Sequence, residues 1–134
     1  MFDIQDSGMR HYTYISTLYH AMKVAAQYNK QMVIFDRPNP LGARMEGPVV
    51  TQQLKSFISI AQVPLRHGMT VGELAWYFNK YELEKPAELH VVRMHGYDRR
   101  ARFVAQNELA QPLSPGLRTE QACYGYSFLG LLGE

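Results

Sequence analysis

A single cysteine, Cys123, stands in the 134 residues, so no disulfide can form within the chain and no CxxC metal or redox motif exists. That scarcity does not fix the compartment, because exported proteins often lack disulfides. Charge is sparse and nearly balanced, with 19% charged residues and a formal net charge of +2. So small an excess gives no case for a nucleic-acid partner, and the basic residues are scattered apart from Arg99, Arg100 and Arg102. No apolar run approaches the roughly 18 residues of a membrane span. No basic segment followed by an apolar stretch opens the chain, so no signal peptide is visible. HExxH, GxGxxG, the phosphate-binding GxxxxGK loop and GxSxG are all missing, which removes support for zinc-protease, nucleotide-binding and serine-hydrolase readings. His20, His90 and His95 show no metal-ligand spacing, and no metal or cofactor is expected.

Apolar residues make up 46% of the chain, enough for a soluble globular domain with a real core. Met1–Ile4 is short and apolar and runs straight into Gln5-Asp6-Ser7-Gly8, as the carboxyl end of a buried strand does on entering a loop. A strand with no lead-in suggests that the chain begins inside a fold. Ile15, Leu18, Met22 and Ala25 recur at helical spacing and predict a helix over residues 13–28, stopped at Asn29. Met32–Phe35 then reads as a buried strand ended by Asp36. Strand, helix and strand within about 35 residues make a βαβ unit with parallel strands. The Pro- and Gly-rich stretch 36–48 is a long loop, of the length that tends to be functional. Further on, 57–63 is a possible strand, 70–81 a second helix with Leu74, Tyr77, Phe78 and Tyr81 on one side, and 89–94 a strand with Val91 and Val92 inside. After His95 the chain turns irregular through Pro112, Pro115 and Gly116, and Tyr124–Leu132 is an apolar stretch that ends abruptly at Glu134. That ending suggests missing sequence on this side too.

Ligands of open α/β sheets bind beyond the carboxyl ends of the strands. Two polar clusters sit at such ends, Asp3-Ile4-Gln5-Asp6 and Asp36-Arg37-Pro38-Asn39. Each carboxylate could instead cap a helix or tie a loop; two clusters together favour a site. Glu46 lies before Gly47-Pro48, a pair able to fix a turn and aim one carboxylate, although a loop glutamate is commonly just solvated. Thr70 and Glu73 have capping-box spacing, which assigns Glu73 a structural place. His67, beside Arg66, reads equally as a ligand-binding or a backbone-bonded histidine. Arg10, His11, Tyr12 and Tyr14 open the first helix, where aromatic faces suit either sugar stacking or half-buried packing.

Three stretches carry a family resemblance. Phe2-Asp3-Ile4-Gln5-Asp6-Ser7-Gly8-Met9-Arg10 with Tyr12-Thr13-Tyr14-Ile15, then Asp36-Arg37-Pro38-Asn39-Pro40-Leu41-Gly42 with Glu46-Gly47-Pro48, then Arg66-His67-Gly68-Met69-Thr70-Val71-Gly72-Glu73-Leu74-Ala75 resemble, in order and spacing, the motifs of the NamZ-type exo-β-N-acetylmuramidases. The resemblance is close over residues 2–80 and looser beyond. There Gly96-Tyr97-Asp98-Arg99-Arg100 and Leu113-Ser114-Pro115-Gly116-Leu117 replace a Trp-rich segment and a PPSPN-like turn.

The resemblance implies an α/β fold with a Rossmann-like parallel sheet and flanking helices, without a dinucleotide, and a truncated domain, since such proteins are about three times this length. Residues 1–95 are then the Rossmann-like part of the catalytic domain, and 96–134 a connecting segment and the start of a C-terminal domain. It implies hydrolysis that releases N-acetylmuramic acid from the non-reducing end of peptidoglycan fragments, in a periplasmic or extracellular setting. Glu46 matches the proposed catalytic glutamate. Asp3, Gln5, Asp6, Arg10, Tyr12, Asp36, Arg37, Asn39, Arg66 and His67 are the substrate-binding candidates. A second catalytic group would be Asp3, Asp6, a carboxylate in an N-terminal part that this sequence lacks, or the acetamido group of the substrate. The partner expected is a peptidoglycan-derived muramyl glycan, and the 134 residues alone are expected to be inactive. The rival reading is a non-enzymatic carbohydrate-binding or pseudo-enzyme module.

Overall fold

The computed structural model describes residues 1–100 and 113–130. Arg102, Pro112, Glu134 and the last two residues of the Tyr124–Leu132 stretch lie outside the described residues.

Helix α1 spans Tyr14–Gln27 and buries Ile15, Leu18, Met22 and Ala26, so the apolar stripe seen in the sequence is its core face. Asn29 leaves the helix with φ 52°, a left-handed conformation that asparagine tolerates better than most residues. Strand β1, Gln31–Phe35, follows. It pairs in parallel with β2, Glu88–Val92, with Met32 opposite Leu89 and Ile34 opposite Val91. These four share one face, and that face packs on the core with α1 and with Val71, Leu74 and Ala75. Phe2 adds a parallel bridge on the other side of β1: its N–H donates to the Val33 carbonyl at 2.8 Å, and the Phe35 N–H donates to its carbonyl at 3.0 Å.

Helix α2 spans Val71–Tyr77 and packs on both strands and on α1. Thr70 Oγ1 accepts the Glu73 N–H at 3.2 Å, while the Glu73 carboxylate accepts the Thr70 N–H at 2.9 Å, so the expected capping box forms. Thr70→Val should therefore cost about 1–2 kcal/mol of stability, read as a lower urea midpoint at unchanged slope. Gly72, in the first turn, must be glycine for proximity: a Cβ there would lie 2.7 Å from Val91 Cγ1 and 2.8 Å from Asp36 Cγ.

Four sequence expectations need correction. The Met1–Ile4 strand reduces to the single bridge at Phe2, because Met1 and Ile4 are exposed and only Phe2 meets partners. Residues 57–63 form no strand. Ser56 and Ser59 exchange backbone hydrogen bonds at 3.2 and 3.1 Å and close a tight turn, after which Ala61 and Val63 enter the core from irregular chain. Val92 points away from the core and is 38% exposed, as the period of two requires once Val91 faces inward. The second α-helix ends at Tyr77, and one π-helical turn over Phe78–Glu82 replaces its last turn. The Leu83 N–H reaches back five residues to the Phe78 carbonyl at 2.9 Å, which leaves Phe78 fully buried and Tyr81 outside.

Helix α3, Glu120–Leu129, is capped by Thr119, whose Oγ1 accepts the Ala122 N–H at 3.1 Å. It joins a second small core of Met9, Leu41, Leu117 and Cys123. The architecture is α/β with parallel pairing and flanking helices. Because Phe2, β1 and β2 run in parallel, Asp3–Asp6, Asp36–Asn39 and the chain after Val92 all leave from one edge.

Candidate active site

The segment around Arg66 draws the three sequence motifs together. Met9 and Glu46 both form antiparallel bridges with Arg66. The Glu46 N–H donates to the Arg66 carbonyl at 3.1 Å, the Arg66 N–H to the Glu46 carbonyl at 2.9 Å, and the Arg10 N–H to the Leu65 carbonyl at 2.8 Å. Gly47 turns the chain directly after Glu46 with φ 86°, and a Cβ there would lie 2.7 Å from Leu65 Cβ. This is the fixed turn that the Gly-Pro pair implies.

Arg66 is buried, at 5% exposure. Its Nη1 pairs with Glu46 Oε2, and its Nε donates to Ser127 Oγ at 2.8 Å. The guanidinium carbon lies 5.0 Å from the Tyr124 ring centre and 4.3 Å from that of Phe128. Ser127 Oγ in turn donates to the Tyr124 carbonyl at 2.6 Å. A planar fork held this way presents its outer N–H in a fixed direction. The Glu46 side chain receives it and remains 46% exposed. The result is a carboxylate open to solvent on one side and clamped on the other.

Beneath the clamp lies a buried pair. Asp6 Oδ2 accepts the Gly8 N–H at 2.8 Å and stands 3.1 Å from His67 Nε2. His67 Nδ1 accepts the Met69 N–H at 3.2 Å, which places the imidazole proton on Nε2, facing Asp6. His67 is wholly enclosed. Arg10 Nη1 donates to the Pro48 carbonyl at 2.8 Å and the Val63 carbonyl at 2.5 Å. It staples the turn after Glu46 to the segment leading to Arg66, and burial pushes its pKa down.

The remaining candidates are placed differently. Asp36 Oδ1 accepts the Arg37 N–H at 2.9 Å and the Gly72 N–H at 2.8 Å, and its Oδ2 accepts from Thr70 Oγ1 at 3.1 Å. Asn39 donates to the Met69 carbonyl at 2.9 Å and accepts the Leu41 N–H at 2.8 Å. Gln5 donates to the Asp6 and Pro38 carbonyls, each at 2.7 Å. These three shape the loop 36–48. Asp3 and Arg37 form an ion pair at 2.7 Å on the open rim. Tyr12 donates to the Leu113 carbonyl at 2.6 Å and packs edge-on against Tyr14, 4.8 Å between ring centres. Sequence reasoning missed Tyr124, Ser127 and Phe128, although their spacing of three and four puts them on one helix face.

His11 offers a pH test of this region. Burial, and then the neighbouring Arg10 charge, lower its pKa, against the opposing pull of the Tyr126 carbonyl. The unfolded chain therefore binds a proton on His11 more readily than the folded one. Stability should be full above the ordinary histidine value of about 6.5 and decline as pH falls from there toward the lowered folded value. Urea midpoints between pH 8 and pH 5 should drop less in His11→Gln than in the wild type; equal drops would remove His11 from the account.

The fold and this clamp define the chain as an α/β domain whose polar loops gather at one sheet edge around an exposed carboxylate. Residues 1–121 match the family model described as "Exo-beta-N-acetylmuramidase NamZ, N-terminal". The chain belongs to this NamZ family of exo-β-N-acetylmuramidases. It is 40% identical over 136 aligned positions to the peptidoglycan β-N-acetylmuramidase NamZ of Bacillus subtilis (strain 168), covering 98% of this chain and 32% of that protein. Two crystal structures of DUF1343 family proteins from Bacteroides fragilis NCTC 9343 are similar in fold. One superimposes with a TM-score of 0.90 at 42% identity, covering 97% of this chain and 34% of that one. The other gives 0.83 at 34% identity, covering 92% and 35%. The chain thus spans about a third of the length of these relatives.

Proposed function

We propose that this chain is part of a glycoside hydrolase that releases N-acetylmuramic acid from the non-reducing end of peptidoglycan fragments, with Glu46 as its catalytic carboxylate. The observation that carries the reading is the Arg66–Glu46 clamp: a half-exposed carboxylate with one oxygen held by a buried guanidinium. Glycoside cleavage needs a carboxyl group held at the scissile bond, to protonate the leaving oxygen or to attack the anomeric carbon. A side chain fixed on one side and open on the other meets that need. The B. subtilis relative is named for action on peptidoglycan, which supports the substrate class, and such a substrate lies in a periplasmic or extracellular compartment.

Asp6 is enclosed and bonded to His67, whereas Asp3 stands on the exposed rim. In this reading Asp6 and His67 brace the site, and Asp3 and Arg37 meet substrate. We further propose that residues 1–95 form the sheet-bearing part of the domain and 96–134 its connection onward, with α3 folding back onto Arg66.

The test is chromophore release by the full-length gene product from para-nitrophenyl β-N-acetylmuramide and from the corresponding N-acetylglucosaminide. Cleavage of the muramide well above the glucosaminide is expected. Silence on the muramide, or preference for the glucosaminide, would contradict the proposal. The 134-residue chain, with a third of its relatives' length, is expected to release none, since a glycosidase must enclose its substrate to hold it in reacting geometry.

A further inference from the structure

A concavity opens at the sheet edge from which the polar loops leave. It has a volume of about 290 Å³, and its walls include Asp36, Glu73, Trp76, Val91, Arg93 and Tyr97. They come from the end of β1, the outer side of α2 and the chain after β2. Trp76 is the only tryptophan in the sequence and is 53% exposed beside this cavity. α2 buries Val71, Leu74 and Ala75, so Trp76 falls on its outward side. A tryptophan that leaves half its surface open at a concavity offers a flat apolar face, of the kind on which the C–H face of a pyranose stacks.

The charges in the cavity leave one group unspent. Both Asp36 oxygens are occupied by the Gly72 and Arg37 N–H groups and the Thr70 hydroxyl. Glu73 is divided between the Thr70 N–H and Arg99. Among the described residues, Arg10, Arg37, Arg66, Arg99, Arg100 and Arg118 all have hydrogen-bond partners. Arg93 has no hydrogen-bond partner among the described residues, and it lines the cavity. Glu73 is paired with Arg99, and the Asp36 oxygens are turned to Gly72, Arg37 and Thr70, so the cavity combines an aromatic platform with a guanidinium that neither carboxylate engages, a group that binds carboxylates in bidentate fashion.

We infer that this cavity is a subsite for a carboxylate-bearing sugar, with the ring stacked on Trp76 and the carboxylate on Arg93. The choice of sugar rests on the proposed function: N-acetylmuramic acid differs from N-acetylglucosamine by a lactyl ether that carries such a carboxylate. Asp36, which lines this cavity, opens the loop 36–48 that carries Glu46.

Because Trp76 is the sole tryptophan, its fluorescence reports on this cavity alone. In the 134-residue chain, N-acetylmuramic acid should change the tryptophan emission saturably. N-acetylglucosamine should bind about two- to fivefold more weakly, the range an exposed ion pair supplies. Arg93→Gln should erase the difference between the two sugars. No response to N-acetylmuramic acid in a chain that melts cooperatively, or equal affinity for both sugars in the wild type, would overturn the subsite. Lactate alone producing the full response would also overturn it, by reducing the site to an anion contact. Should the short chain fail to melt cooperatively, the full-length gene product decides: Arg93→Gln and Trp76→Ala should raise KM for the chromogenic muramide several-fold more than they lower kcat, and unchanged KM in both refutes the subsite. A tryptophan response without glycosidase activity would instead refute only the hydrolase reading.

Discussion

Glu46→Gln in the full-length gene product should lower turnover of the muramide by about 10²–10⁴-fold, the range a lost acid, base or nucleophilic carboxylate commonly produces. The fold should scarcely notice. The Glu46 side chain is 46% exposed, and a half-exposed ion pair contributes only about 0–1 kcal/mol. Glutamine also keeps an oxygen to accept from Arg66, and the backbone bridge between residues 46 and 66 does not involve the side chain. The measurement is kcat beside a thermal melt: a large loss in the first at a nearly unchanged midpoint in the second. A collapse of both would make Glu46 structural, and retention of both would remove it from the chemistry.

Arg66→Ala should show the opposite balance. Arg66 is buried between the rings of Tyr124 and Phe128 and bonded to Ser127. Truncation removes that packing, leaves a hole and frees Ser127 of its donor, for a cost of about 2–4 kcal/mol. Turnover should fall as well, because Glu46 loses the group that fixes its direction. Arg66→Lys separates the two effects. It keeps the charge and much of the stem but cannot reach Ser127 and Glu46 with one planar fork. Stability should recover by more than half while turnover stays low. A lysine variant with wild-type turnover would show that charge alone suffices and that the clamp does not orient Glu46.

Much of this architecture was legible because local chemistry and tertiary packing agree. The stripe of Ile15, Leu18 and Met22 specifies α1, and the Thr70–Glu73 spacing specifies the start of α2. Disagreement came where packing outweighed local pattern. Residues 57–63 are apolar enough for a strand, yet Ser56 and Ser59 close a tight turn across their start, and Ala61 and Val63 fill the core without a ladder. The end of α2 was misjudged because a π-helical turn keeps nearly helical spacing while rotating Tyr81 out to solvent.

The site was legible in composition but not in its division of labour. Asp6, Asp36 and Glu46 look alike as loop acids. One is enclosed against His67, one is spent at the start of α2, and only Glu46 combines a buried guanidinium with an open side. The clamp's far half comes from α3, where Ser127 lies 61 residues from Arg66, a distance no local pattern reveals.

The most direct test of the account is mass-spectrometric analysis of an N-acetylmuramyl-β-1,4-N-acetylglucosamine disaccharide incubated with the full-length gene product and with its Glu46→Gln variant. The account predicts free N-acetylmuramic acid and N-acetylglucosamine in equal amounts from the wild type and intact disaccharide from the variant. Intact disaccharide from the wild type, or equal release by both proteins, would contradict it.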